Sequence, residues 1–220
     1  MKKVGLLLSG CGFNDGSEIH ESVISMLALD RAGVETVIMA PNIDQMHVVN
    51  HYTGQEMDEF RNVLVESSRI ARGNIKDMAE VTGNDLDALI IPGGFGVAKN
   101  LSDYAMAGPD CSVNPDVYRL VSEIYLLKKP IGAICIAPVM MAKIFGEQDE
   151  SAEMTIGLDE VTSNDINMMG SKHIKCLVSE MIIDEDKKLV TTPAYMEAQS
   201  IKEAAEGIEK LVKQVLLMIE

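Results

Sequence analysis

Residues 128–142 have the sequence Lys128-Lys129-Pro130-Ile131-Gly132-Ala133-Ile134-Cys135-Ile136-Ala137-Pro138-Val139-Met140-Met141-Ala142. The short apolar run at 131–134 follows a proline, which is typical of a strand buried on both faces. From Val139 the spacing becomes helical, so Cys135 falls on a tight turn between a strand and a helix. Such a turn brings a thiol close to the unpaired N–H groups of a helix N-terminus, which lower its pKa. The alternative is a buried cysteine that acts only as a small apolar side chain.

Composition limits the classes of function. The chain has 220 residues, 47% hydrophobic and 24% charged, which predicts a single globular domain over residues 1–220. The net charge of -15 argues against binding to nucleic acid or an anionic membrane, because both would repel the protein. The cysteines have irregular spacing, which argues against a zinc ribbon or a disulfide framework. Without a signal sequence or an apolar run of membrane-spanning length, we expect a cytoplasmic protein.

Strand and helix patterns alternate along the chain. Apolar runs predict strands at residues 3–8, 35–40, 86–91, 131–134 and 189–192, with shorter candidates at 154–158, 174–178 and 181–184. Amphipathic spacing predicts helices at residues 18–32, 58–72, 115–128 and 195–219. Ser17 is the predicted N-cap of the first helix. The alternation predicts an α/β fold with a mainly parallel sheet and helices on both faces.

Three loops that contain glycine, cysteine or acidic residues follow predicted strands, at the sheet edge where ligands bind in such folds. They are residues 10–18, 92–96 and 135–138. Gly93 and Gly94 either direct backbone N–H groups toward an oxyanion or only permit a tight turn. Gly10 and Gly12 resemble the start of a dinucleotide fingerprint, but Asp15 occupies the position of the third glycine. We therefore expect neither NAD nor another cofactor.

Two histidines, His47 and His51, lie four residues apart. On a helix they could share a metal ion. However, Val48 stands where a metalloprotease has its glutamate, and Val48-Val49 favours extended chain. No metal site is predicted.

Further motifs are spread over the whole chain. They are Leu8-Ser9-Gly10-Cys11-Gly12, Asp15-Gly16-Ser17-Glu18-Ile19-His20-Glu21, Asn50-His51-Tyr52-Thr53-Gly54, Arg61-Asn62-Val63-Leu64, Pro92-Gly93-Gly94-Phe95-Gly96-Val97-Ala98-Lys99-Asn100-Leu101, Cys135-Ile136-Ala137-Pro138 and Val190-Thr191-Thr192-Pro193-Ala194-Tyr195-Met196. Together they resemble the class I glutamine amidotransferase-like, DJ-1/PfpI superfamily. More narrowly, they resemble its ElbB group, the isoprenoid biosynthesis proteins with an amidotransferase-like domain.

The resemblance implies a flavodoxin-like three-layer sandwich that forms a homodimer. It implies that Cys135 is the nucleophile and that Glu18 is the acidic partner that reaches the thiol. It also implies that the backbone N–H groups of Gly93, Gly94 and Ile136 lie near an oxyanion. Candidates for accessory roles are His20, His51 and Cys11. Cys11 either resolves an oxidised Cys135 as a disulfide or packs beneath the first loop.

Two departures from the superfamily narrow the expected activity. In its protease-like members a histidine directly follows the nucleophile, where this chain has Ile136, and no histidine follows His173 to complete an amidotransferase triad. A triad protease and a glutaminase are therefore not expected. The resemblance implies a glutathione-independent glyoxalase that converts glyoxal or a related 2-oxoaldehyde, its small-molecule partner, to a 2-hydroxy acid. The alternative is a non-enzymatic redox-sensing or regulatory protein that affects isoprenoid metabolism.

Overall fold

A seven-stranded sheet forms the centre of the computed structural model, which describes residues 1–219. The strands of this sheet and of two small two-stranded sheets are β1 (Lys3–Leu7), β2 (Glu35–Ala40), β3 (Val49–Asn50), β4 (Gln55–Glu56), β5 (Lys76–Asp77), β6 (Ala88–Ile91), β7 (Ile131–Ile134), β8 (Glu153–Met154), β9 (Lys172–His173), β10 (Ile182–Asp184) and β11 (Leu189–Thr192). The central order is β10-β11-β7-β6-β1-β2-β5, and only the β10–β11 pair is antiparallel. Within it, β2-β1-β6-β7-β11 is the flavodoxin-like order, which confirms the predicted mainly parallel sheet.

Helices cover both faces of this sheet. They are α1 (Ile19–Arg31), α2 (Val63–Ile70), α3 (Tyr104–Ala107), α4 (Pro115–Leu126), α5 (Ala137–Gly146), α6 (Glu160–Met168) and α7 (Ile201–Leu217). The apolar layer on one face includes α1, α2 and α7, and the layer on the other includes α4, α5 and α6. The predicted three-layer sandwich is therefore confirmed.

The central strands are apolar on both sides because helices cover both faces. In β1, Val4 and Leu6 belong to the layer with α1 and α7, whereas Leu7 belongs to the layer with α4 and α5. Gly132 in β7 lets α7 pack close to the sheet, since a Cβ there would lie 2.7 Å from Leu211 Cδ2. This packing holds the strand ends, and with them the loops that follow β1, β6 and β7.

Two helices begin at residues other than those predicted. Glu18 and not Ser17 is the N-cap of α1, and the Ser17 hydroxyl instead accepts a hydrogen bond from Ser9 N at 2.8 Å. The last helix begins at Ile201 rather than at 195, because the Ser200 hydroxyl accepts a hydrogen bond from the first turn. In both cases a local capping bond marks the helix start, which apolar periodicity does not reveal.

The predicted elements at 58–72 and 174–178 also differ in the structure. Asn62 caps α2, which covers only the central part of the predicted helix. Residues 174–178 are irregular chain, although Ile174 N donates to Met154 O at 2.8 Å and so extends the pairing of β8 and β9 by one hydrogen bond. Neither difference affects the sheet edge where β1, β6 and β7 end.

Candidate active site

Cys135 directly follows β7 and has the backbone conformation of a sharp turn. Its φ of +62° lies in the left-handed region, which a side chain with a Cβ rarely adopts and which often marks a functional site. The turn is held by a hydrogen bond from Cys135 N to Thr192 O at the end of β11, at 3.0 Å. The next residue, Ile136, is the N-cap of α5. This strand–turn–helix arrangement is that of a nucleophile elbow.

The carboxyl group that contacts the Cys135 thiol is that of Glu21, in the first turn of α1. Its side chain is fully buried and forms a hydrogen bond with the thiol. Gly93 N donates to Glu21 Oε2 at 2.8 Å, and Tyr195 N donates to Glu21 Oε1 at 3.2 Å. Burial, followed by the charge of Glu18, raises the pKa of Glu21 to about 8. The site therefore holds a carboxyl group that keeps its proton near neutral pH.

The pKa of the Cys135 thiol is raised well above its ordinary value, contrary to the lowering expected from the turn. Burial is the largest cause, followed by the charge of Glu21 and its hydrogen bond to the thiol. The N–H groups of Gly94 and Ile136 act in the opposite direction and lower this pKa, as the turn predicts. The expectation is wrong because the sequence does not reveal a buried carboxyl group beside the sulfur.

Glu18 lies one helical turn from Glu21 and lines the cavity above Cys135. Its carboxylate accepts a hydrogen bond from Glu21 N at 2.7 Å, and its own N–H donates to Gly93 O at 2.9 Å. The contact with the thiol that we expected of Glu18 is made by Glu21. The missed signal was the cap itself. Once Glu18 is recognised as the N-cap, Glu21 occupies the third position of the first turn, from which a side chain can reach back toward the start of the helix.

The glycines after β6 have different functions from one another. Gly93 N–H is used by Glu21, so it is not free to bind an oxyanion, whereas Gly94 and Ile136 N–H face the sulfur. A Cβ at Gly93 would lie 2.5 Å from Cys135 Cβ and 2.8 Å from Glu21 Oε2. Glycine is therefore needed at position 93 for the thiol and the carboxyl group to meet.

The candidate accessory residues do not contact the Cys135–Glu21 pair. His20 Nδ1 lies 2.7 Å from the Tyr195 hydroxyl, and His51 Nε2 accepts a hydrogen bond from Asn14 N at 3.2 Å. Cys11 is partly exposed, and its charged neighbours include Glu66 and Arg69. Cys11 does not line the cavity of Cys135, although its loop was predicted to lie at the same edge of the sheet. Within residues 1–219, no group of three or more His, Cys, Asp or Glu side chains is arranged to hold a metal ion.

A cavity of about 330 Å³ opens above the Cys135 thiol. Its walls are mostly apolar and include the rings of Phe13, Phe95, Tyr104 and Tyr195. Two carboxylates, Glu18 and Asp159, also line it. A small carbonyl compound can therefore enter from solvent and reach the sulfur.

Fold and site define a flavodoxin-like α/β protein with a cysteine on a nucleophile elbow. The DJ-1/PfpI family model matches residues 11–196, and the chain belongs to this family. It is 44% identical to the human glutamine amidotransferase-like class 1 domain-containing protein 3, mitochondrial, over 97% of this chain and 82% of the human protein. It is 43% identical to the rat ES1 protein homolog, mitochondrial, over 97% of this chain and 83% of the rat protein.

A solved structure is similar over the full length of both chains. It is the isoprenoid biosynthesis protein with amidotransferase-like domain from Ehrlichia chaffeensis, with 36% identity, a TM-score of 0.93 and coverage of 100% of each chain. The resemblance inferred from the sequence motifs is therefore confirmed.

The expected cytoplasmic location is wrong in the light of these relatives. The rat, human and zebrafish proteins that match this chain are all named as mitochondrial. Composition and hydropathy pattern were therefore insufficient to predict location. Among residues 1–219, no helix is long and apolar enough to cross a membrane.

Proposed function

We propose that this protein is a glutathione-independent glyoxalase, which converts glyoxal or a related 2-oxoaldehyde to a 2-hydroxy acid. Cys135 acts as the nucleophile, and Glu21 moves protons. The observation that carries the proposal is the hydrogen bond between the thiol and the buried Glu21 carboxyl group, at the base of an open cavity. Because burial raises the pKa of Glu21 to about 8, this group can both donate and accept a proton near neutral pH.

The reaction starts when the pair loses one proton and the negative charge lies on sulfur, near Gly94 and Ile136 N–H. The sulfur attacks the aldehyde carbon of R–CO–CHO, and the oxygen takes the Glu21 proton to form a hemithioacetal. Glu21 then removes the C–H proton of that carbon and protonates the neighbouring carbon, by way of an enediol, which gives a thioester. Water cleaves the thioester to R–CHOH–COOH and the free thiol. Overall, the aldehyde and one water molecule give the 2-hydroxy acid, and no oxidant is needed.

Two other activities fit the site less well. A protease or glutaminase triad needs a histidine beside the nucleophile. None of the chain's four histidines, all within the described residues, lines the cavity over Cys135. A peroxide sensor would use the same thiol but does not need a carboxyl group that moves protons beside it, such as Glu21. The homodimer implied by the resemblance stays a prediction.

The assignment of the acid–base group is tested by comparing Glu21→Gln with Glu18→Gln. Loss of the Glu21 carboxyl group should lower kcat/KM for glyoxal by about 100-fold or more, the usual contribution of general acid–base catalysis. Glu18→Gln keeps an oxygen to cap α1 and should lower kcat/KM by less than about tenfold. Cys135→Ser should abolish turnover. Product formation is followed as glycolate.

Circular dichroism and thermal melting establish that each variant is folded, and Glu21→Asp provides a second variant that retains a carboxyl group. Partial activity in Glu21→Asp would support the acid–base role. If folded Glu21→Gln protein had normal turnover and Glu18→Gln protein were inactive, Glu18 would be the acid–base group. Unchanged turnover in Cys135→Ser would overturn the mechanism.

A further inference from the structure

The cavity above Cys135 is larger and more apolar than glyoxal requires. Its volume of about 330 Å³ falls within the range of pockets that hold drug-sized ligands, roughly 300–1,000 Å³. Aromatic rings supply much of the wall, and Phe13 and Phe95 are each about half exposed at 49% and 50%. Exposed rings beside a reactive thiol favour a substrate with an apolar body that can pack against them.

The charged side chains that line this cavity are all acidic. They are Glu18 and Asp159, and no Lys, Arg or His of the described chain lines it. Lys99 comes near, but its Nζ lies 5.3 Å from the Phe95 ring centroid and donates to Asn14 O. His20 is occupied with the Tyr195 hydroxyl. The cavity therefore contains no cation to pair with a carboxylate or phosphate on a substrate.

Both acidic groups are held in fixed positions by the helices that they cap. Glu18 accepts from Glu21 N at 2.7 Å, and Asp159 accepts from Thr162 N at 2.8 Å at the start of α6. The hydrogen bonds from Thr162 lower the pKa of Asp159, so it is ionised at neutral pH. The negative charge of Asp159 is thus a permanent feature of the cavity wall.

We infer that the site selects 2-oxoaldehydes with an apolar, preferably aromatic, substituent that is uncharged or positively charged, and rejects those that carry an anionic group. This inference rests on the proposed glyoxalase function. The reaction is the same one, R–CO–CHO plus water to R–CHOH–COOH, and needs no further reactant. The product is itself an anion, so Glu18 and Asp159 repel it and favour its release.

The turnover test compares three aldehydes of similar shape: phenylglyoxal, its para-carboxy derivative and its para-trimethylammonio derivative. We expect phenylglyoxal to have a higher kcat/KM than glyoxal. We expect the anionic derivative to have a kcat/KM at least about fivefold below the cationic one, as for charges several ångströms apart near a protein surface. Equal values for the two charged derivatives, or a preference for the anion, would overturn the inference.

Asp159→Asn removes one charge and keeps the cap, because asparagine caps helices as well as aspartate does. It should reduce the ratio between the cationic and anionic substrates about two- to threefold, since one of the two charges remains. The matched control is Asp77→Asn, since Asp77 also caps a short helix, accepting from Ala79 N at 3.0 Å, but does not line the cavity. A ratio that changes equally in both variants would contradict a role for the charge in the cavity.

A second readout does not require turnover. Cationic trimethylammonioethyl and anionic sulfonatoethyl methanethiosulfonates modify thiols, and mass spectrometry of peptides gives the rate at Cys135, with Cys11 as an internal reference. We expect faster modification of Cys135 by the cation and a smaller difference in Asp159→Asn. Selective modification without turnover of any aldehyde would overturn the glyoxalase proposal and support the charge preference. Equal modification rates with normal glyoxal turnover would support the glyoxalase proposal and overturn the charge preference.

Discussion

At the scale of single residues, Cys135 and Glu21 share one site where burial raises the pKa of both groups. Glu21 raises the pKa of Cys135 further, whereas the hydrogen bond with the thiol lowers that of Glu21. Both oxygens of Glu21 accept backbone hydrogen bonds, and two N–H groups face the sulfur. The first proton that leaves the pair therefore produces a single negative charge that has hydrogen-bond donors in either location. A second negative charge would be strongly repelled by the first.

The rate of Cys135 alkylation should reflect this coupling. With iodoacetamide, the rate should still be rising above pH 9, because burial and Glu21 raise the pKa of Cys135. Glu21→Gln removes the charge and should move the profile to lower pH by about one unit, which corresponds to about 1.4 kcal/mol. Cys11, whose charged neighbours do not include Glu21, serves as the control in the same digest. Identical Cys135 profiles in the two proteins would exclude the coupling.

Gly93→Ala should separate the Cys135 thiol from the Glu21 carboxyl group without altering either group chemically. A Cβ at this position would lie 2.5 Å from Cys135 Cβ and 3.0 Å from Sγ, so the thiol would have to move. We expect glyoxal turnover to fall by about 100-fold, as for misplaced reacting groups. Gly33→Ala is the control, because it strains a φ of +67° but has no atom within 4 Å of the added Cβ. Normal turnover in Gly93→Ala would show that the contact is not needed.

At the scale of elements, the start of α1 and the end of β11 bring the site together. The first turn of α1 carries Glu21, and the residues after β11 supply Tyr195 N–H to its carboxyl group. Thr192, the last residue of β11, accepts the hydrogen bond from Cys135 N. The turn after β7 therefore depends on its neighbouring strand as well as on its own sequence.

Gly207 in α7 controls how closely that helix approaches β11. A Cβ there would lie 2.5 Å from both Thr192 Oγ1 and Val178 O. Gly207→Ala should therefore destabilise the protein by about 1–3 kcal/mol despite the better helix propensity of alanine. The melting temperature should fall by roughly 2–10 °C, and turnover should fall because Thr192 supports Cys135.

Glu206→Ala is the control for this prediction, since Glu206 is the preceding residue of α7 and is exposed. Its melting temperature should stay close to that of the unmodified protein. If Gly207→Ala were as stable as Glu206→Ala, the close approach of α7 to β11 would be tolerant of an added methyl group.

At the scale of the whole molecule, burial of Glu21 connects the site to folding. Its pKa is raised from 4.5 to about 8, so the folded protein binds more protons than the unfolded chain between these values. The resulting stabilisation is complete below about pH 4.5 and is lost as the pH rises through about 8. The groups that face Glu21 are the Cys135 thiol, the Glu18 carboxylate and two backbone N–H groups.

Urea unfolding at pH 5, 7 and 9 tests this linkage. The unmodified protein should lose more stability between pH 5 and 9 than Glu21→Gln, because glutamine does not titrate. At pH 5 the variant should be the less stable of the two, since its amide NH2 replaces one acceptor of a backbone N–H. Parallel pH dependences of the two proteins would contradict a raised pKa at position 21.

Much of the fold follows from local sequence pattern. The apolar runs that became β1, β2, β6, β7 and β11 are recognisable because each is buried on both faces. The turn at Cys135 is recognisable because an apolar run changes to helical spacing within a few residues. His20 and His51 were named as candidates, but Tyr195 and Asn14, with which they form hydrogen bonds, lie far from them in the sequence. The sequence pattern does not give the distance in space from either histidine to Cys135.

The sequence by itself determined the three layers, the order of the strands along the chain and the position of Cys135 on a turn. Only the tertiary structure decided which carboxyl group meets the thiol. Glu18 and Glu21 both lie at the start of α1, and the packing of that helix against Gly93 and Tyr195 buries one and leaves the other in the cavity. The tertiary structure also decided the direction of the thiol pKa shift. Desolvation and the charge of a buried neighbour depend on residues brought together from distant parts of the chain.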